Sequence, residues 1–132
     1  MGKKLLIIGA GGHGKVVKEI AESMMENQVV VYDTVDFLDD NAVESVGKIK
    51  DLKRLMILYD EVFCGIGNNQ IRKELIEKAE KSGYQIPVLI HPTAYISPSA
   101  MIEKGTVVEP KAIINANSVI KKGSIISGRI LI

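Results

Sequence analysis

The chain has no tryptophan, few other aromatics and a single cysteine, Cys64. One cysteine excludes an intrachain disulfide. It lies in the apolar run Val62-Phe63-Cys64-Gly65-Ile66, where it reads as a small buried hydrophobe. A nucleophilic thiol would want a base beside it, and the sequence offers no obvious one. Charge of one sign is also missing. Seventeen basic and sixteen acidic residues leave a net charge of +1, which gives no support to nucleic acid or an anionic membrane as the main partner. No apolar run approaches the roughly 20 residues of a membrane span. Met1-Gly2-Lys3-Lys4 leads into too few apolar residues for the core of a signal peptide, so the expected location is cytoplasmic. Cysteines and histidines show no metal-ligand spacing, and no Ser-His-Asp arrangement stands out. What remains is 132 residues, 46% of them apolar: enough for one domain, or for a small domain and the start of another.

The first part alternates strands and helices. Leu5-Leu6-Ile7-Ile8 is a continuous apolar run ended by Gly9, as expected of a strand buried on both faces. After Gly14, the stretch Lys15 to Met25 places Val17, Ile20 or Ala21, and Met24 at helical spacing. A β-branched region, Val29 to Leu38, ends in Asp39-Asp40-Asn41, with Val29-Val30-Val31 and Val35-Asp36-Phe37-Leu38 both eligible as its strand. Asn41 to Lys48 reads as loop, and Asp51 to Leu58 as a short helix. Glu61 to Ile66 reads as a third buried strand, closed by Gly67-Asn68-Asn69. A helix capped by Asn68 or Asn69 follows. Ile71, Leu75 and Ala79 are its expected inner stripe, Arg72, Lys73, Glu74, Glu77 and Lys78 its wet face, and Gly83 its stop. Gln85 to Ile90 reads as a further strand. The alternation predicts a parallel α/β sheet over residues 1 to 88.

From 89 to 132 the period changes to six. Ile90, Ile96, Ile102, Val108, Ile114, Ile120, Ile126 and Ile132 share one register. Four places after each, up to Ser124, stands a small residue: Ala94, Ala100, Thr106, Ala112, Ser118 and Ser124. Such self-similarity signals a parallel β-helix, with three short strands per triangular coil and aliphatic side chains filling the prism. The register fails at Ile130, where a small residue is due.

Gly9-Ala10-Gly11-Gly12-His13-Gly14 fits G-x-G-x-x-G, and it joins a predicted strand to a predicted helix, the context that gives the pattern meaning. Glycines let backbone amides approach a ligand, and the helix N-terminus offers free N–H groups to a diphosphate. His13 can donate to a phosphate or sugar oxygen. Asp39 and Asp40 end the second strand region, where a carboxylate can meet a ribose or base. Asp33 competes, being nearer the usual spacing from the glycines. Gly67, Asn68 and Asn69 end the third strand and are candidates for the same crevice. His91, held extended by Pro92, reads as structural.

Together these segments resemble the sugar O- and N-acetyltransferases typified by sialic acid O-acetyltransferase and by the enzyme that N-acetylates a UDP-4-amino sugar on the route to bacillosamine. The residues that carry the resemblance are Ile7 to Gly14, Phe37 to Asp40, Ile66-Gly67-Asn68-Asn69-Gln70-Ile71-Arg72, and Leu89 to Ala94 with the hexads after it. The resemblance implies a Rossmann-like domain holding a UDP-sugar or other nucleotide sugar, followed by a left-handed parallel β-helix that trimerises. It implies acetyl-CoA between neighbouring β-helices and a coil histidine as general base. By motif match Gly9, Gly11, Gly12, His13 and Gly14 would meet the diphosphate or sugar, and Asp39 and Asp40 the nucleoside. The only histidines are His13 and His91, and neither matches the family's coil histidine. The expectation is a substrate-binding portion lacking the catalytic coil, through truncation or a frame-shifted gene. The alternatives are a free-standing nucleotide-sugar-binding module and an NAD-linked enzyme, the latter disfavoured by the hexads.

Overall fold

The computed structural model describes residues 2–26 and 32–128. Strand β1 (Lys3–Ile8) lies between β2 (Tyr32–Leu38) and β3 (Glu61–Cys64), and both neighbours run parallel to it. Val29 to Val31 fall outside the described residues; the second half of that β-branched region forms β2. Ile8 pairs with both Leu38 and Cys64, so all three strands end level. The chain must turn at this common edge in three loops, and these build the site.

Because side chains alternate across a strand, β1 feeds two cores. Leu5 and Ile7 pack with Val17, Ile20, Ala21 and Met24 of helix α1 (Gly12–Glu26). Leu6 and Ile8 pack on the other face with Leu52, Leu55, Ala79 and Tyr84. Ala79 belongs to helix α2 (Asn69–Ser82), which starts at Asn68, whose side chain accepts from Ile71 N at 3.0 Å, and stops at Gly83 in the left-handed region. The single short helix expected over Asp51 to Leu58 is replaced by two separate 3-10 turns, Ile49–Asp51 and Arg54–Ile57.

Two expectations need correcting. Gln85 to Ile90 is not a strand of the α/β sheet. Only Gln85 bridges β3, through Glu61, and Leu89–Ile90 (β4) already belongs to the second architecture. The inner stripe of α2 is Arg72, Ile76 and Ala79, not Ile71, Leu75 and Ala79. Ile71 is 46% exposed while Arg72 is 7% exposed. The helix is rotated because a second body lies against it.

That body is the β-helix. Its strands β5 (Tyr95–Ile96), β6 (Met101–Ile102), β7 (Val107–Val108), β8 (Ile113–Ile114), β9 (Val119–Ile120) and β10 (Ile125–Ile126) each stack on the strand three hexads away, giving the parallel sets β4-β7-β10, β5-β8 and β6-β9. Val108, Ala112, Ile114, Ile120 and Ile126 fill the prism, with Ile90, Ile96 and Ile102 partly buried beside them. This is α/β architecture followed by the first coils of a left-handed parallel β-helix. Outward residues Leu89 and Val107 of one prism face join the α1 core, so the two parts share apolar packing. At the prism corners, Gly105 and Gly123 adopt positive φ, and a Cβ there would meet Ile76 Cδ1 at 3.1 and 2.9 Å. Glycine is needed for both the backbone turn and the close approach of α2. Among the described residues no helix is long and apolar enough to cross a membrane.

Candidate functional site

At the level ends of β1, β2 and β3 lies a cavity of about 370 Å³, of the size that holds a small-molecule ligand. Gly9, Gly11, Gly12, His13, Asp39, Asp40 and Gly67 line it, joined by Asn41, Ile49, Gly65 and Ile66. A larger hollow of about 520 Å³ lies between α2 and the β-helix, but it holds none of the glycine-loop amides. The smaller cavity is the candidate site.

The loop glycines divide by what surrounds them. Gly9 has φ +99°. A Cβ on Gly14 would stand 1.9 Å from Gly9 O, and one on Gly65 would stand 2.9 Å from Gly14 Cα. These glycines let the start of α1 sit directly on the end of β3. Gly14 therefore packs the loop and is not among the lining residues. Around Gly11, Gly12 and Gly67 a Cβ would meet nothing within 4 Å. That open space faces the first turn of α1, whose amides precede the first intrahelical bond, from Lys15 N to Gly11 O at 3.0 Å.

Asp39 holds the loop in shape. Its Oδ2 accepts from Ala10 N at 2.8 Å, and its Oδ1 accepts from Asn41 N at 2.8 Å and Ala42 N at 3.1 Å. The backbone donors, that of Ala10 first, keep its carboxyl below the usual carboxylate range. Asp40 is exposed, and its Oδ1 accepts from Ile49 N at 2.9 Å. Asp33 sits at the opposite end of β2, beside the irregular pairing of Lys3 and Lys4, and does not line the cavity.

His13 is the second residue of α1. Among the described residues its Nε2 is the buried side-chain polar atom without a hydrogen-bond partner. Burial is the main reason its pKa lies below the usual histidine value; Glu109 opposes the shift and Arg72 adds to it. A buried polar atom left unpaired costs about 1–3 kcal/mol. The residue lines the cavity, while Nε2 itself is closed to solvent.

Asn68 and Asn69 do not line this cavity. Asn68 caps α2, and Asn69 Oδ1 accepts from Arg72 Nη2 at 2.6 Å. His91 Nδ1 lies 2.9 Å from Thr93 Oγ1 and accepts from Thr93 N. Cys64 is buried, and burial pushes its thiol up to about 11. The residue that sequence reasoning misplaced is Arg72. Nε donates to Gly123 O at 2.8 Å, and Nη1 donates to Ile66 O at 3.1 Å and Gly67 O at 2.9 Å. The available signal was its spacing: Arg72, Ile76 and Ala79 lie on one helical stripe as well as the apolar triplet does.

Residues 4–79 match the family model for the PglD N-terminal domain. UDP-N-acetylbacillosamine N-acetyltransferase of Bacillus subtilis (strain 168) is 33% identical over 109 residues, which is 80% of this chain and 50% of that protein. The chain thus spans about half the length of that curated relative. The acetyltransferase domain of PglB from Neisseria gonorrhoeae FA1090, solved in complex with acetyl coenzyme A, is 40% identical with a TM-score of 0.85, over 95% of this chain and 62% of that one. A histidine-to-alanine mutant of GDP-perosamine N-acetyl transferase from Caulobacter crescentus, solved with CoA and GDP-perosamine, is 30% identical with a TM-score of 0.74, over 94% and 62%.

Proposed function

The chain belongs to the PglD N-terminal domain family, and on that premise we propose that it is the sugar-nucleotide-binding part of an N-acetyltransferase, which takes the acetyl group from acetyl-CoA to the amine of a nucleotide-activated sugar. The observation that carries this reading is the single cavity into which the loops after β1, β2 and β3 converge. Gly11 and Gly12 leave it open, and the α1 N-terminus gives it free amides and partial positive charge suited to a diphosphate. His13 lines the same cavity beside these amides. Asp40, Asn41 and Ile49 line the side toward β2, where the nucleoside would lie. Uridine is the preferred nucleoside by likeness to the Bacillus subtilis enzyme. We assign binding to these residues. Base catalysis of acetyl transfer is assigned to neither His13, which borders the nucleotide cavity, nor His91, which is engaged by Thr93.

The same reading includes a trimer with the acetyl donor between prisms. One prism face is spent on the α/β part, while the other two expose Tyr95 with Ile113 and Met101 with Val119. A ring of three prisms gives each copy two neighbours, and two apolar faces meet that need.

Titration calorimetry of the 132-residue chain tests the binding claim. UDP and UDP-amino sugars should bind, and NAD should not. Gly11→Val should weaken UDP at least tenfold with little loss of stability, since its side chain would enter open cavity space. Binding of NAD in place of UDP would overturn the reading. Sedimentation should show a trimer, and a stable monomer at high concentration would remove the oligomer from it.

A further inference from the structure

Among the described residues, Arg72 is a buried cation without an anion. Its hydrogen bonds go to Gly123 O, Ile66 O, Gly67 O and Asn69 Oδ1, and no ion pair to it occurs among the described residues. Burying a guanidinium is costly even when its donors are satisfied, and an apolar residue of similar volume often serves stability better. Ile76, one turn later on the same stripe, shows that this face accepts one. What an aliphatic side chain cannot do is grip backbone carbonyls of two separate segments at once. Arginine can, because its donors project from a rigid plane.

The two segments differ in kind. Ile66 and Gly67 line the cavity at the end of β3. Gly123 is a left-handed corner of the β-helix, the one that leads into β10. We propose that Arg72 is a positioning residue that fixes the Ile66–Gly67 rim of the cavity against the β-helix, so that a ligand in the cavity is held in a set place relative to the coils. The functional half of this inference rests on the sugar-nucleotide reading above; the structural half does not. Lysine in its place keeps the charge but carries its donors on one compact ammonium, which cannot span from Gly123 to Ile66 and Gly67 in this geometry.

The test compares Arg72→Lys with Glu80→Gln. Glu80 pairs with Lys104 and Lys122, joining α2 to the β-helix away from the cavity, so its loss loosens the same contact without touching the rim. Hydrogen exchange is read at Gly65, whose amide donates to Ile8 O, and at Gly123, whose amide donates to Lys104 O. UDP affinity is read on the same samples. Arg72→Lys should speed exchange about tenfold at both amides and weaken UDP about tenfold, while Glu80→Gln leaves Gly65 and the affinity unchanged. Should Arg72→Lys fail to fold, Asn69→Ala, which removes one of the four acceptors, should give the same paired change at about threefold. Faster exchange at one amide only, or equal effects from Glu80→Gln, would overturn the positioning role. If the unmodified chain binds no UDP, the sugar-nucleotide reading fails, and the exchange data still decide whether Arg72 couples the two segments.

Discussion

The α/β part and the β-helix part solve the same burial problem by different means. In the first, each buried residue has its own partners: Leu5 and Ile7 meet one helix, Leu6 and Ile8 the opposite layer. In the second, one position is repeated every hexad and stacks on itself. Ile96 lies against Ile114, Ile102 against Ile120, and Val108 between Ile90 and Ile126. Burial in the prism therefore depends on rank in the stack. Ile114 and Val108 are fully buried, whereas Ile90, Ile96 and Ile102 of the first coil are only partly so. A stacked design gains stability from neighbours and is interchangeable along its length. A layered sheet with level strand ends is not interchangeable, and its three irregular loops hold the candidate site.

If that division is real, the largest loss of stability with no loss of binding should come from the prism. Ile114→Ala removes a fully buried side chain from the prism interior, where it stacks on Ile96, and should cost about 4 kcal/mol, within the range for such cavities. Urea unfolding reads the loss, and UDP affinity well below the transition should be unchanged. A parallel fall in affinity would break the comparison.

Gly14→Ala should do the reverse, damaging both properties through one methyl group. The new Cβ falls 1.9 Å from Gly9 O, so the start of α1 must lift away from the glycine loop. Overpacking of this kind costs about 3 kcal/mol, and the displaced loop should bind UDP at least a hundredfold more weakly. Normal affinity in a folded Gly14→Ala chain would show that the loop does not shape the cavity.

Asp39→Asn comes next. The carboxylate accepts from amides on both of its oxygens, and an asparagine would turn an NH₂ toward one set of donors. Hydrogen bonds to a charged group are worth about 2 kcal/mol. The sign of the pH effect follows from the lowered carboxyl pKa. The native chain holds this stability above the ordinary carboxylate pKa and loses it as pH falls through the folded value. His13, whose pKa is also lowered, acts in a different window. Its neutral folded form is disfavoured progressively as pH drops below the usual histidine value. Stability of Asp39→Asn measured from neutral to acid pH should lack the acid-most part of the native decline. An unchanged acid profile would mean that the loop, not the carboxylate charge, dictates the geometry.

How far these features were legible depended on period. The hexads were readable because a coil repeats its own pattern, and Val17, Ile20, Ala21 and Met24 were readable because α1 has one buried face. Gly9, Gly11, Gly12, His13, Asp39, Asp40 and Gly67 were named from motifs, and the level strand ends bring them to one cavity. Arg72 was legible only through its helical spacing with Ile76 and Ala79. Its burial is set by the β-helix corner at Gly123, which is remote in sequence, and propensity alone sends an arginine to solvent. Asn68 and Asn69 were assigned to the crevice because they follow β3, but the cap of α2 and the Arg72 guanidinium use their side chains. The single strand expected over Gln85 to Ile90 failed for a similar reason: the chain changes architecture inside it.

The smallest effect gives the sharpest comparison, because one backbone conformation occurs in two settings. The prism corners at Gly105, Lys111, Asn117 and Gly123 all have positive φ. Gly105 and Gly123 are buried against Ile76, but Lys111 and Asn117 are exposed. At the buried corners glycine answers two demands, conformation and space. At Lys111 only the first applies, and a non-glycine residue there carries a left-handed penalty of about 1 kcal/mol. Glycine would remove that penalty but add freedom to the unfolded chain, which offsets part of the gain. The backbone bond from Lys111 N to Thr93 Oγ1, 3.0 Å long, does not depend on the side chain and should persist. Lys111→Gly should therefore stabilise the chain by about 0.5 kcal/mol, seen as a higher urea midpoint at unchanged slope, with UDP affinity unaltered. Gly123→Ala should move the midpoint the other way, since its Cβ meets Ile76 as well as the strained backbone. If both substitutions destabilise, the lysine side chain makes a contribution at its corner that conformation alone does not explain, and the corners are not equivalent positions of one repeat.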